Sequence, residues 1–255
     1  MNSSERLPYR AVIVDFDRTL LHTDKSISSF TLQVLADWQR RGARLFAATA
    51  RPERTITAYR EMIPFDAVTT LNGARTITRD RVYEIPVSRR SAEAVLARLC
   101  ETEGMVISAE TDCGLFANTD IPVWQPAVVS DILSLPAKAK VYKILASHPF
   151  LPAEGIVPGL PEDTYATIAD GKLVQVMDGA ATKWNGIQRM LEAYGIPAGQ
   201  AVYFGDDNDD IEPIRRCGCG VAVSNALEPV RAQADHITGS NDEDGVAVFL
   251  AGLAG

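Results

Sequence analysis

No stretch of this 255-residue chain approaches the ~18 consecutive apolar residues that mark a membrane-spanning helix. The first residues, Met1-Asn2-Ser3-Ser4-Glu5-Arg6, lack the apolar core of a secretory signal. These two absences predict a cytoplasmic protein with no membrane partner. Basic residues are in the minority, 25 Lys and Arg against 33 Asp and Glu, for a net charge of −8. Duplex nucleic acid and anionic lipid both demand a basic face, so neither is expected as a main partner. Histidine is scarce, and His22, His148 and His236 stand apart from one another. Cys100, Cys113, Cys217 and Cys219 form no C-x-x-C pair and have no histidine companions, so a zinc site is not expected. They read as free, buried thiols of a reducing compartment. Internal repeats and low-complexity tracts are also missing. The remaining composition, 46% hydrophobic and 23% charged, is that of a globular chain with one large domain or two smaller ones.

What the chain does contain is a set of short apolar runs that end in reactive chemistry. Ala11-Val12-Ile13-Val14 reads as a buried strand and leads into Asp15-Phe16-Asp17-Arg18-Thr19-Leu20. Two carboxylates so close repel each other unless a cation is shared between them. A divalent metal meets that need, and hard Mg²⁺ prefers oxygen ligands. One carboxylate can then act as a nucleophile while its neighbour moves a proton. Leu45–Ala48 leads into Thr49-Ala50-Arg51, and Ala67–Leu71 into Asn72-Gly73. Ala201–Phe204 leads into Gly205-Asp206-Asp207-Asn208-Asp209-Asp210. Ligands of open α/β sheets bind outside the carboxyl ends of the strands, so these four ends are expected to build one site. Lys183 opens a predicted helix capped by Thr182, with Trp184, Ile187, Leu191 and Tyr194 on one face. A lysine at a helix start opposes the macrodipole, a placement that suits an ammonium facing carboxylates or phosphate.

The order of elements fixes the fold class. Residues 29–40 read as an amphipathic helix, Pro52 suits a helix start, and 1–72 therefore reads β-α-β-α-β. Alternation over 75–87 around Arg79-Asp80 predicts a hairpin. Then the pattern changes. Strands are predicted at 105–108, 115–118, 141–146, 165–169 and 173–176, with helical patches near 88–103 and 125–135. Asp170-Gly171 is a tight-turn signal between the last two strands. From 183 onward β-α alternation resumes. The expectation is an α/β protein: a Rossmann-like, doubly wound parallel-sheet core from 1–82 and 179–255, carrying an inserted α+β domain at 83–178.

Taken together, these motifs resemble those of the haloacid dehalogenase superfamily of phosphatases, in its Cof-like group with a large α/β cap of type IIB. Asp15-x-Asp17-x-Thr19 looks like the first motif, Thr49 the second, Lys183 the third, and Gly205-Asp206 with Asp210 the fourth. Asn72-Gly73-Ala74 and Asp244-Gly245-Val246-Ala247 resemble further signatures of the group. There are departures. Ala50 replaces the usual Gly, Trp184 the Gly that usually follows the lysine, and Asp209 the usual Asn.

The resemblance implies a Mg²⁺-dependent phosphatase acting on a small phosphorylated metabolite, a sugar phosphate by preference, through an aspartyl-phosphate. It implies Asp15 as nucleophile and Asp17 as the group that protonates the leaving oxygen and then activates water. The metal shell it implies is the Asp15 carboxylate, the Asp17 carbonyl and Asp206, supported by Asp210 and with Asp209 an open question. Thr49 and Lys183 would bind the phosphoryl oxygens, Arg51, Asn72 and Gly73 would line the same edge, and Thr19 would support. The cap would set substrate choice. A phosphomutase would use the same residues. A ligand-sensing relic is disfavoured because every residue of catalytic type is present. No oligomeric state follows.

Overall fold

The computed structural model describes residues 7–169 and 171–254. The N-terminal hexapeptide and Asp170 of the expected Asp170-Gly171 turn lie outside the described residues. Two compact units form, one from the residues up to Tyr83 together with those from Thr182, the other from Glu84–Ala181. Strands β1 (Ala11–Val14), β2 (Arg44–Ala48), β3 (Ala67–Thr70), β4 (Arg75–Ile77) and β5 (Val82–Glu84) come first. Then follow β6 (Val106–Thr111), β7 (Gly114–Ala117), β8 (Ala127–Val128), β9 (Val141–Ser147), β10 (Thr164–Ala169) and β11 (Leu173–Asp178). The chain closes with β12 (Ala201–Gly205), β13 (Cys219–Val223) and β14 (His236–Thr238). The helices are α1 (Ser29–Arg40), α2 (Thr57–Met62), α3 (Arg89–Cys100), α4 (Lys183–Ala193), α5 (Ile211–Arg216), α6 (Glu228–Arg231) and α7 (Gly245–Ala254).

The first unit is built on a sheet of order β14-β13-β12-β1-β2-β3-β4-β5. Its strands from β14 to β3 are parallel, and β4 turns back antiparallel to β3. Chain order reverses on either side of β1, which pairs with β2 on one edge and β12 on the other. A doubly wound sheet opens its binding crevice at such a point. All four residues of β1 are buried because helices cover both faces of the sheet. Val12 and Val14 pack with Leu35 and Trp38 of α1 and Leu250 of α7. Ala11 and Ile13 point the other way, into Trp184, Ile187, Met190 and Leu191 of α4.

The start of α4 is pressed against the β3 end. Thr182 caps it through its hydroxyl, which accepts from Asn185 N at 3.1 Å. Gly73 has φ +100, and a Cβ there would meet Thr182 O at 2.0 Å. One turn into α4, a Cβ on Gly186 would meet Thr69 Oγ1 at 2.2 Å. Both contacts exist only because a side chain is missing.

The second unit is a sheet of order β10-β11-β9-β6-β7-β8, antiparallel except for the β7–β8 pair. α3, capped by Ser88, lays Ala92, Val95, Leu96 and Leu99 on Ile107, Ala109, Ile144, Ala146, Val174 and Val176. The fold class is thus α/β, with an α+β unit inserted in a doubly wound one. Two expectations fail. The predicted helical patch at 125–135 is instead Gln125 at φ +49, the short strand β8 and a 3₁₀ turn over Ile132–Ala137. Pro126 and Pro136 remove N–H donors from that stretch, and its apolar spacing does not offset the loss. Nor are the cysteines all buried. Cys217 and Cys219 are, but Cys100 in the last turn of α3 and Cys113 in the β6–β7 turn are exposed. No helix among the described residues is long and apolar enough to cross a membrane.

Gly186→Ala should lower unfolding free energy by about 1–3 kcal/mol, the usual cost of forcing a methyl into a filled contact. Urea denaturation measures this. An unchanged midpoint would show that α4 can move off β3 freely.

Candidate active site

The ends of β1 and β12 lie side by side, since Val14 and Phe204 are in register and Asp15 N donates to Phe204 O at 3.0 Å. Asp15 and Asp206 therefore leave neighbouring strands at the same height. Both are buried, as are Asp210, Asn72, Thr49, Thr19 and Lys183. Lys183 Nζ reaches Asp210 Oδ1 at 2.7 Å, Asp15 Oδ1 at 3.0 Å and Asp209 Oδ1 at 3.1 Å. Thr19 Oγ1 donates to Asp206 Oδ1 at 2.9 Å, and Arg18 approaches its other oxygen at 3.8 Å.

Asp210 spends both oxygens on the protein. Oδ1 accepts from Lys183 and from the buried Tyr203 hydroxyl; Oδ2 accepts from the N–H groups of Asp206 and Asp207 at 2.9 and 3.1 Å. This carboxylate folds the acidic loop back on itself. Gly205 makes room for it, as a Cβ there would meet Asp210 Cβ at 2.5 Å. Asp209 bridges two donors, Lys183 and Asn72, whose Nδ2 donates at 2.6 Å. Asn72 adopts φ +57 just past β3, and its N–H donates to Thr49 O at 3.2 Å. Thr49 Oγ1 in turn accepts from Arg51 N at 3.2 Å.

The electrostatics follow from burial. Desolvation, eased by Lys183 but reinforced by Asp210 and Asp206, pushes Asp15 well above the usual carboxylate range. Asp206 is pushed up to about 7 by burial and by Asp210. Asp209 rises to about 6, again by burial, with Lys183 opposing. Burial alone would lower the Lys183 pKa, but Asp15, Asp209 and Asp210 together drive it well above 10.5. Asp15, Asp206 and Asp210 can each present an oxygen within 4.8 Å of the others. An all-oxygen donor set, under-neutralised by one ammonium, suits a hard divalent cation. Asp15 and Asp206 are the two with oxygens to spare, because Asp210 is committed.

Asp17 stands apart from this cluster. Its carboxylate accepts from Arg51 Nε at 2.6 Å, Arg51 Nη2 at 2.7 Å and Lys25 Nζ at 2.7 Å. Burial alone would raise its pKa; the two cations outweigh that and hold it at about 2. Lys25 and Tyr203 were not foreseen from sequence. Tyr203 carried a signal, because a hydroxyl inside an apolar core strand requires a partner. Lys25 carried none, being one charge in a polar loop. His22 is occupied structurally, with Nε2 3.0 Å from Asp244 Oδ1.

The family model described as haloacid dehalogenase-like hydrolase matches residues 12–250. A 5-amino-6-(5-phospho-D-ribitylamino)uracil phosphatase of Bacillus subtilis is 25% identical over 96% of this chain and 97% of its own length. Among solved structures, a haloacid dehalogenase-like hydrolase from Bacteroides thetaiotaomicron superposes with TM-score 0.84 at 23% identity, covering 96% of this chain and 99% of that one. A sugar phosphatase of subclass IIB superposes with TM-score 0.82 at 23% identity over 96% and 99%. These structural likenesses concern the fold.

The raised carboxylates set a pH dependence for the metal-free protein. Asp206 has a folded pKa near 7 against an ordinary 3.8, so the native state holds more protons than the unfolded one between those values. Stability should therefore fall as pH rises from about 4 to about 7. Asp17 acts in the opposite sense only below that window, as its pKa is near 2. Thermal denaturation in EDTA across this range checks the slope. Added Mg²⁺ should restore the melting temperature at pH 7, and a flat, metal-insensitive profile would refute the shared-cation reading.

Proposed function

We propose, from the premise that the chain belongs to the haloacid dehalogenase-like hydrolases, that this member of the family is a Mg²⁺-dependent phosphatase of small phosphorylated metabolites. The observation that carries the reading is the buried Asp15–Lys183–Asp210 assembly with Asp206 beside it. Phosphoryl transfer is catalysed chiefly by positioning and by neutralising charge, and this edge supplies both. A divalent ion held by Asp15, Asp206 and the Asp17 carbonyl would supply Lewis-acid neutralisation of the phosphoryl oxygens.

The chain's own residues do the rest. Asp15 attacks phosphorus and forms an aspartyl-phosphate as the bond to the leaving oxygen breaks. Asp17 gives that oxygen a proton. It then accepts one from the water that attacks phosphorus, and Asp15 is released with inorganic phosphate. Asp17 cannot donate from its present partners, because Arg51 and Lys25 hold it ionised. Its carboxyl must exchange that pair for the leaving oxygen. Lys183 and Thr49 hold phosphoryl oxygens, with Asn72, Gly73 and Arg51 along the same edge. Thr19 steadies Asp206, and Asp210 steadies Lys183. A sugar phosphate is the favoured substrate class, in keeping with the subclass IIB sugar phosphatase of the same fold. Substrate choice rests with residues 84–181, and the expected setting is the cytoplasm.

Asp15→Asn should abolish hydrolysis of p-nitrophenyl phosphate in Mg²⁺, by more than the roughly 10²–10⁴-fold that loss of a general acid or base costs. Circular dichroism should remain unchanged. Chelation should silence the wild-type enzyme reversibly. A near-normal steady-state rate for the variant would remove Asp15 from the nucleophile role, and full activity in EDTA would remove the metal. A panel of phosphorylated metabolites then ranks substrates, and a failure of every sugar phosphate on it would narrow the class elsewhere.

A further inference from the structure

Asp209 grips the side chains that the proposed function assigns to the phosphoryl group. One of its oxygens lies 3.1 Å from Lys183 Nζ, and the other accepts from Asn72 Nδ2 at 2.6 Å. These are contacts of the kind an incoming phosphoryl oxygen would make. The Lys183 ammonium has three hydrogens and three carboxylate partners, so it has none to offer until one partner lets go. The partners are not equally free to leave. Asp210 is fixed by Tyr203 and by two backbone N–H groups as well as by Lys183. Asp15 is fully placed by its position at the end of β1 and has to stay at the reacting centre. Asp209 is held through the side chains of Lys183 and Asn72 and has no assigned place at the reacting centre, and its side chain is 21% exposed, against 7% for Asp15 and 0% for Asp210.

We propose that Asp209 is a resident anion that occupies the phosphoryl subsite and competes with phosphate for Lys183 and Asn72. This rests on the phosphatase reading of the site. The charge count agrees with it. In the cluster around Lys183, Asp15, Asp206, Asp209 and Asp210 face that ammonium and one divalent ion, which leaves one negative charge before any substrate arrives; Arg18, 3.8 Å from Asp206, is more than half exposed and its charge is met largely by solvent. A neutral residue at 209 would leave none. Asp209 therefore weakens binding of inorganic phosphate and speeds its departure after each turnover. It is a competing group and takes no part in bond making.

Calorimetric titration of inorganic phosphate into the Mg²⁺-loaded protein tests this directly, without turnover. Asp209→Asn and Asp209→Ser, both neutral, should each bind phosphate about tenfold more tightly or better, as expected for removing one close like charge. The inhibition constant of phosphate against p-nitrophenyl phosphate should fall in step. Asp209→Glu keeps the charge and should stay within a few-fold of wild type. A role limited to bracing Asn72 and Lys183 predicts the opposite sign, because slack donors hold phosphate less well. Neutral variants that melt like wild type, hydrolyse the aryl phosphate and bind phosphate no more tightly would overturn the proposal while leaving the phosphatase reading intact. A wild-type protein that neither hydrolyses aryl phosphates nor binds phosphate would overturn both.

Discussion

The buried Lys183 ammonium is the interaction on which the site depends. Four carboxylates leave two strand ends within reach of it, and three are in direct contact. Burial penalises the charge on each of these groups, so none is stable there alone. Removing the lysine would leave several buried carboxylates uncompensated, the kind of loss that costs about 3–5 kcal/mol for one broken buried pair. Its placement has a cheap local cause. Thr182 caps the helix, Gly73 lets β3's end touch the cap, and Gly186 lets the helix lie flat on Thr69. An ammonium at the first residue of a helix runs against the dipole, and the surrounding carboxylates outweigh that small penalty.

The second pole of the site is organised quite differently. Asp17 is paired with Arg51 and Lys25 on a more open flank, and its carboxylate is 40% exposed. The segment that brings Lys25 there is fastened by the end of the chain. Asp242 accepts from both the N–H and the hydroxyl of Thr23, each at 2.7 Å. Asn241 Nδ2 donates to Leu21 O at 3.0 Å, and Asp244 receives Thr31 Oγ1 at 2.9 Å while facing His22. The Asp244-Gly245-Val246-Ala247 signature therefore has a physical meaning. It ties the loop after the first motif to α7, and through that loop it sets the cation that meets Asp17.

Much of this arrangement is written in local patterns. Ala11–Val14, Leu45–Ala48 and Ala201–Phe204 are apolar runs too short for a helix and bounded by polar residues or glycine, which is how a strand buried on both faces reads. Ser28 and Thr182 mark helix starts because their hydroxyls have N–H groups to satisfy. Residues 125–135 misled because apolar spacing says nothing about donors that Pro126 and Pro136 lack. Cys100 and Cys113 misled because cysteine is usually buried, while exposure is decided by the helix end or turn that carries it. Pairings were the least legible of all. That four strand ends share an edge follows from topology. That Asp210 would take Tyr203, or that Asp209 would bridge Asn72 and Lys183, depends on side-chain reach between residues 7 to 137 positions apart in sequence, at about the scale of one bond length.

The proposal of an anionic substrate for an acidic protein looks contradictory only if net charge is taken as the relevant quantity. At −8 the chain repels anions at long range, but beyond a Debye length of roughly 8–10 Å that field is screened. Within the site Arg51 and Lys25 are matched to Asp17, and the local balance is that of Lys183 and the proposed divalent ion against Asp15, Asp206, Asp209 and Asp210. Such a balance need not favour tight binding. An enzyme gains nothing by holding ground states firmly, and interactions that strengthen only as charge develops raise the rate. On the proposed reading, a cluster around Lys183 that carries one negative charge in excess before substrate arrives, with a displaceable carboxylate on its phosphoryl donors, would bind substrate and product weakly. It would deliver its full set of donors only once the transferring group had pushed that carboxylate aside. The same Asp209 that looks like an obstacle to phosphate is thus compatible with fast turnover.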